Sequence, residues 1–147
     1  MELSAHVRTV AGMSTAVGWA AGGRTLTVDR PWAVGGRGLG FNGGELLLLA
    51  VAGCFHNDVL REAPRFGVVV RSLEVEVRAR FVGDPIRARD MAYEVQIDAD
   101  GPRARIDELL EHVDRIAEVH NSLRCETPVT LARVRHAETA PHMAAED

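Results

Sequence analysis

Lysine is absent from this 147-residue chain, and all 17 basic residues are arginine. That excludes Schiff-base chemistry and any other use of a lysine amine as nucleophile. An arginine-only basic set is what a GC-rich bacterial genome would give. Basic charge is also in deficit: 21 acidic residues leave a net charge of −4, so there is no electrostatic case for nucleic acid or an anionic membrane as partner. Cysteine is scarce as well. Cys54 and Cys125 are too few for a disulfide framework and suit a reducing cytosol. The longest unbroken apolar run, residues 46–52, falls well short of the roughly 18 residues a spanning helix needs. The opening MELSAHVRTV has neither a basic nor an apolar region of the kind a secretory leader requires. The expectation is a cytoplasmic protein with one domain over residues 1–137 and a frayed tail over 138–147.

Glycine is plentiful where it is informative. Breaks at Ala-Gly and Gly-Gly separate three short strand candidates, residues 4–10, 14–20 and 24–28, and six glycines between positions 29 and 44 predict a loop. Neither Gly22-Gly23-Arg24 nor Gly35-Gly36-Arg37-Gly38 has the strand–glycine–helix context of a phosphate loop, so a nucleotide site is not expected. Asn42-Gly43-Gly44-Glu45 then reads as a capping box opening a helix that runs to about residue 65, where Pro64 and Gly67 mark its end. Its first half is apolar nearly all round, which places it inside the protein.

Strict alternation follows. Leu73, Val75, Val77, Ala79 and Phe81 form one face of a strand, and Met91, Tyr93, Val95, Ile97 and Ala99 one face of the next, with a turn at Gly83-Asp84-Pro85. After Gly101-Pro102, apolar residues at helical spacing from Ile106 to Leu123 predict one amphipathic helix stopped at Thr127-Pro128. Residues 129–134 read as a sixth strand. Segregated antiparallel strands and helices make the class α+β. Six short strands are little cover for an all-round apolar helix, so a second copy of the chain is expected to complete the core as a homodimer.

Among chemically capable residues, Cys54 comes first. Asp58 and Arg61 lie one and two turns on, along the same helix face; Arg61 favours a thiolate and Asp58 opposes it, so the sign of any shift stays open. The rival reading is a small buried hydrophobe. His56 points about 200° away from Cys54 and cannot share a metal ion with it, so no metal site is expected. His120 falls in the apolar stripe, where a hydrogen-bonded core histidine competes with a pocket role. Glu45 is accounted for by its cap.

The run from Gly35-Gly36 through Asn42-Gly43-Gly44-Glu45-Leu46-Leu47-Leu48 to Ala52-Gly53-Cys54 resembles the central-helix signature of the OsmC/Ohr family. The order of elements and the His120-Asn121-Ser122-Leu123-Arg124 and Thr127-Pro128-Val129 segments extend the likeness over nearly the whole chain. The resemblance implies an OsmC-like α+β fold in which antiparallel sheets wrap two long central helices of an intertwined homodimer. It also implies a cofactor-free thiol peroxidase of oxidative-stress defence, acting on small organic hydroperoxides with a dithiol as reductant. Cys54 would be the nucleophile, Glu45 and Arg24 (with Arg30 and Arg37 as alternatives) its electrostatic support, and Cys125 or an external thiol the resolving group. Two positions depart from the family's pattern. Thr127 stands where the peroxidases have the cysteine of a Cys-Pro pair, and Gly44 occupies the acidic position, with Glu45 beside it. The Asn42-Gly43-Gly44-Glu45 opening and the His120-Asn121-Ser122-Leu123-Arg124 ending resemble a divergent branch of the superfamily, and the missing Cys-Pro pair favours the alternative, a non-catalytic dimer holding a small apolar ligand.

Overall fold

The structure is a computed structural model and describes residues 2–134; the tail expected over 138–147 lies outside the described residues. Three short strands, β1 (Ala5–Thr9), β2 (Ala16–Ala20) and β3 (Thr25–Val28), form an antiparallel meander. A glycine-rich loop leads to α1 (Gly43–Glu62). Then come β4 (Val69–Val82) and β5 (Arg87–Asp100), paired as a long antiparallel ribbon, and two helices, α2 (Arg103–Ile116) and α3 (Glu118–Arg124). The class is α+β, as expected.

Helix α1 begins where the sequence says. The Asn42 side chain accepts from the Gly44 and Glu45 N–H groups at 2.9 and 3.1 Å, and the Asn42 N–H donates to Glu45 Oε2 at 2.8 Å. Both halves of the capping box are made, satisfying donors that would otherwise be orphaned. At the other end, Glu62 is buried and accepts from Arg61 Nε (3.1 Å) and Arg65 Nη1 (2.5 Å), which offset the cost of its burial.

Phe55 and Val59 of α1 are sealed from solvent together with Leu109 and Val113 of α2. The β4–β5 ribbon supplies the opposing wall through Leu73, Val75, Val95, Ile97 and Tyr93, paired in register as Leu73↔Ile97 and Val75↔Val95. Its other face is wet and carries ion pairs such as Arg71 with Asp98 and Asp100, and Arg80 with Asp90. Period-two alternation thus becomes one packed face and one charged face.

The loop before α1 is built around Asp29, which is only 3% exposed. Its carboxylate accepts from the backbone N–H groups of Arg30 (2.8 Å), Arg37 and Leu39 (both 3.1 Å), and from Thr15 Oγ1 at 3.3 Å. Burial pushes its pKa up, but these donors outweigh burial and hold it below the usual carboxylate value. Glycine is obligatory at two places here. A Cβ on Gly36 would stand 1.8 Å from the Arg30 carbonyl oxygen, and one on Gly40 would stand 2.3 Å from that of Thr27.

Three expectations need correction. The single helix anticipated from residue 103 to 124 is broken at Ala117, whose ψ of 113° leaves the helical region, so His120 belongs to α3. Residues 129–134 form no strand: Val129 and Leu131 are 97% and 84% exposed, and no strand among the described residues pairs with them. The described chain therefore has five strands, not six. Lastly, the apolar start of α1 is not enclosed by its own chain; Leu46, Leu47 and Leu48 are half-buried and Leu49 is exposed. The β1–β3 meander packs only sparsely on the rest of the molecule.

Phe55→Ala should cost ~3–5 kcal/mol, the range for truncating a sealed aromatic, and Asn42→Ala about 1 kcal/mol through loss of the cap. Urea unfolding curves of the two variants check both; equal costs would mean that α1 is not held chiefly by its inward face.

Candidate functional site

Cys54 is carried by the third turn of α1, beyond the leucine run, on a side of the helix that meets the start of α3. It is half-buried and a free thiol. Its Sγ lies 3.7 Å from Glu118 Oε2 and 3.9 Å from Asp58 Oδ2, so the S–H has two carboxylate acceptors and can serve one at a time. Asp58 faces Cys54 because four residues are close to one helical turn. Glu118 arrives because the kink at Ala117 starts α3 beside α1.

The electrostatics oppose a resting thiolate. Burial pushes the Cys54 thiol pKa up, and the charges of Asp58 and Glu118 push it further; a hydrogen bond from the Val119 N–H offsets only part. Asp58 is itself 3% exposed, and burial followed by the charges of Glu118 and Glu62 raises its pKa, although Arg61 Nη1 stands 2.7 Å from Oδ1. The sign left open by Asp58 and Arg61 falls on the raised side, with burial the leading cause; Glu118, 64 residues away, adds to it. No spacing in the sequence could have found Glu118.

The Sγ, Asp58 and Glu118 ligand atoms lie within 4.8 Å of one another, a spacing a metal ion could use. The Arg61 guanidinium already on Asp58 is a competing positive charge, and His56 is not in the group.

The other expected site residues are dispersed within one chain. Glu45 is engaged in the cap of α1; nine residues put it about 14 Å along the axis from Cys54 and half a turn round it. Its side chain borders an apolar groove with Phe41, Leu48, Leu49 and Val75. Arg24 lines a different cavity of about 340 Å³ beside Trp19, Leu26 and Leu46. Arg30 borders an opening of about 740 Å³ with Asp29, Gly35, Gly36 and Asn42. Cys125 is exposed just past the end of α3. Thr127 donates through N–H (3.2 Å) and Oγ1 (3.0 Å) to the Ser122 carbonyl and so ties off α3. His120 is buried, 5% exposed, between Phe55 and Tyr93.

The chain belongs to the OsmC-like protein family, whose model matches residues 36–132. Solved structures agree on the fold. An OsmC-like protein from Mycoplasma pneumoniae superposes with a TM-score of 0.73 at 19% identity, over 84% of this chain and 88% of that one. An OsmC-like protein of unknown function from Vibrio cholerae gives 0.73 at 12% identity, over 83% and 93%. An organic hydroperoxide resistance protein from Legionella pneumophila gives 0.57 at 16% identity, over 84% and 90%. No curated protein sequence matches the chain. Among the described residues, no helix is long and apolar enough to cross a membrane.

Two carboxylates on one sulfur make a specific prediction. The rate of Cys54 alkylation by iodoacetamide, followed against pH in a Cys125→Ser background, should titrate above an unstructured cysteine in the same buffer. Glu118→Gln should shift the midpoint down; an unchanged midpoint would show that Glu118 does not bear on the thiol.

Proposed function

We propose that the protein is an OsmC-like homodimer that reduces small organic hydroperoxides at Cys54, whose thiol gives its proton to a neighbouring carboxylate as it attacks. The observation that carries this reading is the 3.7 Å approach of Glu118 Oε2 to a half-buried Sγ at the family's cysteine position. A thiol held protonated is a poor nucleophile unless a base takes the proton during attack. The sulfur attacks the terminal oxygen of R–O–OH, forming an S–O bond as the O–O bond breaks. The thiol proton passes to Glu118 and on to the departing alkoxide, which leaves as ROH. Sulfur is oxidised to the sulfenic acid and the peroxide is reduced by the same two electrons. An external dithiol then displaces the sulfenic oxygen as water and, through its second sulfur, releases Cys54 as the thiol. Cys125 is the alternative resolving group. Relatedness to the Legionella hydroperoxide resistance protein supports the substrate class.

Support for the homodimer comes from what one chain leaves uncovered: Leu49 on α1, all of β1, and Val129, Leu131 and Val134. A second copy would cover the leucine face and offer strand edges to residues 129–134. It is also the source from which an arginine could approach Cys54.

A second reading, a dimer that binds a small apolar ligand without turnover, is favoured by the carboxylates around Cys54 and by the tying role of Thr127. Cumene hydroperoxide consumption with dithiothreitol separates the two. The wild-type protein should consume peroxide and Cys54→Ser should not. Glu118→Gln, although its thiol ionises more readily, should slow turnover at pH 7 on the order of a hundredfold, the scale of a lost general base. Peroxide loss equal to that of Cys54→Ser leaves the binding reading standing alone. Sedimentation at micromolar concentration should give a dimer that Leu49→Glu dissociates; a wild-type monomer would remove the assembly from the proposal.

A further inference from the structure

His120 lines a cavity of about 220 Å³ whose other walls are Val51, Met91, Tyr93, Leu123 and Arg124. The imidazole is held edge-on to Tyr93, with ring centroids 5.0 Å apart at 83°, and tilted against Phe55 at 5.9 Å. Among the described residues neither of its ring nitrogens has a hydrogen-bond partner, although the residue is only 5% exposed. Native interiors rarely leave a buried donor and acceptor unmade, so such a group calls for an explanation, and a bound molecule is one that the adjoining cavity has room for.

The remaining polar groups on the cavity wall are already committed. The Tyr93 hydroxyl donates to Asp114 Oδ1, and Arg124 reaches the same carboxylate through Nη2 at 2.7 Å and the Asp114 carbonyl through Nη1 at 2.9 Å. Arg124 and Asp114 cancel in charge. The cavity thus presents one free imidazole on an otherwise apolar wall with no net charge. Its volume corresponds to roughly seven waters, enough for a monocyclic molecule with a water beside it.

We propose that this cavity is a binding site for a small uncharged phenol or alcohol, whose hydroxyl pairs with a ring nitrogen of His120 while its hydrocarbon body lies against Val51, Met91 and Leu123. The carboxylate analogue is disfavoured. Burial and the nearby Arg124 charge hold the imidazole below its ordinary pKa, so it is neutral at pH 7 and offers no charge to pair. A neutral ring can choose its tautomer and so meets a hydroxyl as donor or as acceptor. Cys54 is not among the walls, so the site stands whether or not the thiol reduces peroxide.

The test uses p-cresol, with toluene as the isostere lacking the hydroxyl and 4-methylbenzoate as the charged analogue. Calorimetry and the imidazole NMR resonances of His120 are the readouts. p-Cresol should bind and shift His120; toluene should bind at least about tenfold more weakly, since a site built for a hydroxyl rejects a ligand without one; and 4-methylbenzoate should not bind. His120→Phe should bring p-cresol down to the affinity of toluene. Leu123→Trp, which fills the rim and leaves His120 in place, should abolish both, and Cys54→Ser should change neither. Equal affinity for p-cresol and toluene, an unmoved His120 signal at millimolar p-cresol, or undiminished binding in Leu123→Trp would each overturn the proposal. Should His120→Phe fail to fold, the cresol–toluene comparison and Leu123→Trp decide it.

Discussion

The inward edge of α1, through Phe55 and Val59, is clamped between the β4–β5 ribbon and α2. The groups around Cys54 and His120 take their positions from that clamp. It fixes the rotation of the helix, and rotation decides which residues face α3: Cys54 and Asp58 turn toward Glu118, while Val51 turns toward His120. It also leaves the leucines before Val51 facing outward. Apolar surface is costly to leave in water. The same packing that seals the Cys54 end of α1 thus leaves apolar surface open at its other end, which is the surface the proposed homodimer would cover.

Around the sulfur, the balance of forces is unusual for a reactive thiol. Activated cysteines sit among positive charges or helix N-termini, whereas Cys54 meets two acids, with the nearest guanidinium spent on Asp58. A thiol in that setting resists ionisation and gains a proton acceptor. This points to chemistry in which ionisation and bond formation happen together. It also makes the sulfur sparing toward adventitious electrophiles, which react with thiolates.

Much of the architecture was legible because it rests on local rules. The capping box at Asn42 and Glu45, the period-two faces of β4 and β5, and the glycine breaks of the first meander each follow from spacing within a few residues. What could not be read was non-local or needed a dihedral angle. Ala117 carries no breaker signal, so the kink that separates α2 from α3 was invisible, and with it the approach of Glu118 to Cys54. Residues 129–134 have the alternation of a strand, but a strand forms only by pairing, and none of the described strands of this chain pairs with them. Asp29 carried no signal beyond its place at the start of a glycine-rich loop; the donors that wrap it show why an acid belongs there. Proximity of Arg24 and Glu45 to Cys54 rests on the family's likeness, and within one chain Arg24 and Glu45 border different cavities, neither of them lined by Cys54.

The wrapping of Asp29 has its own consequence. Three of its four donors are backbone N–H groups, so the path of residues 29–41 is specified by the main chain and by glycine at 36 and 40, not by the side chains between. Trp32, Val34 and Leu39 stand exposed on that path, and Val34 borders the opening of about 740 Å³. Such a loop can be rewritten at these positions while its frame survives, which makes Val34 a handle for reshaping the mouth of that opening.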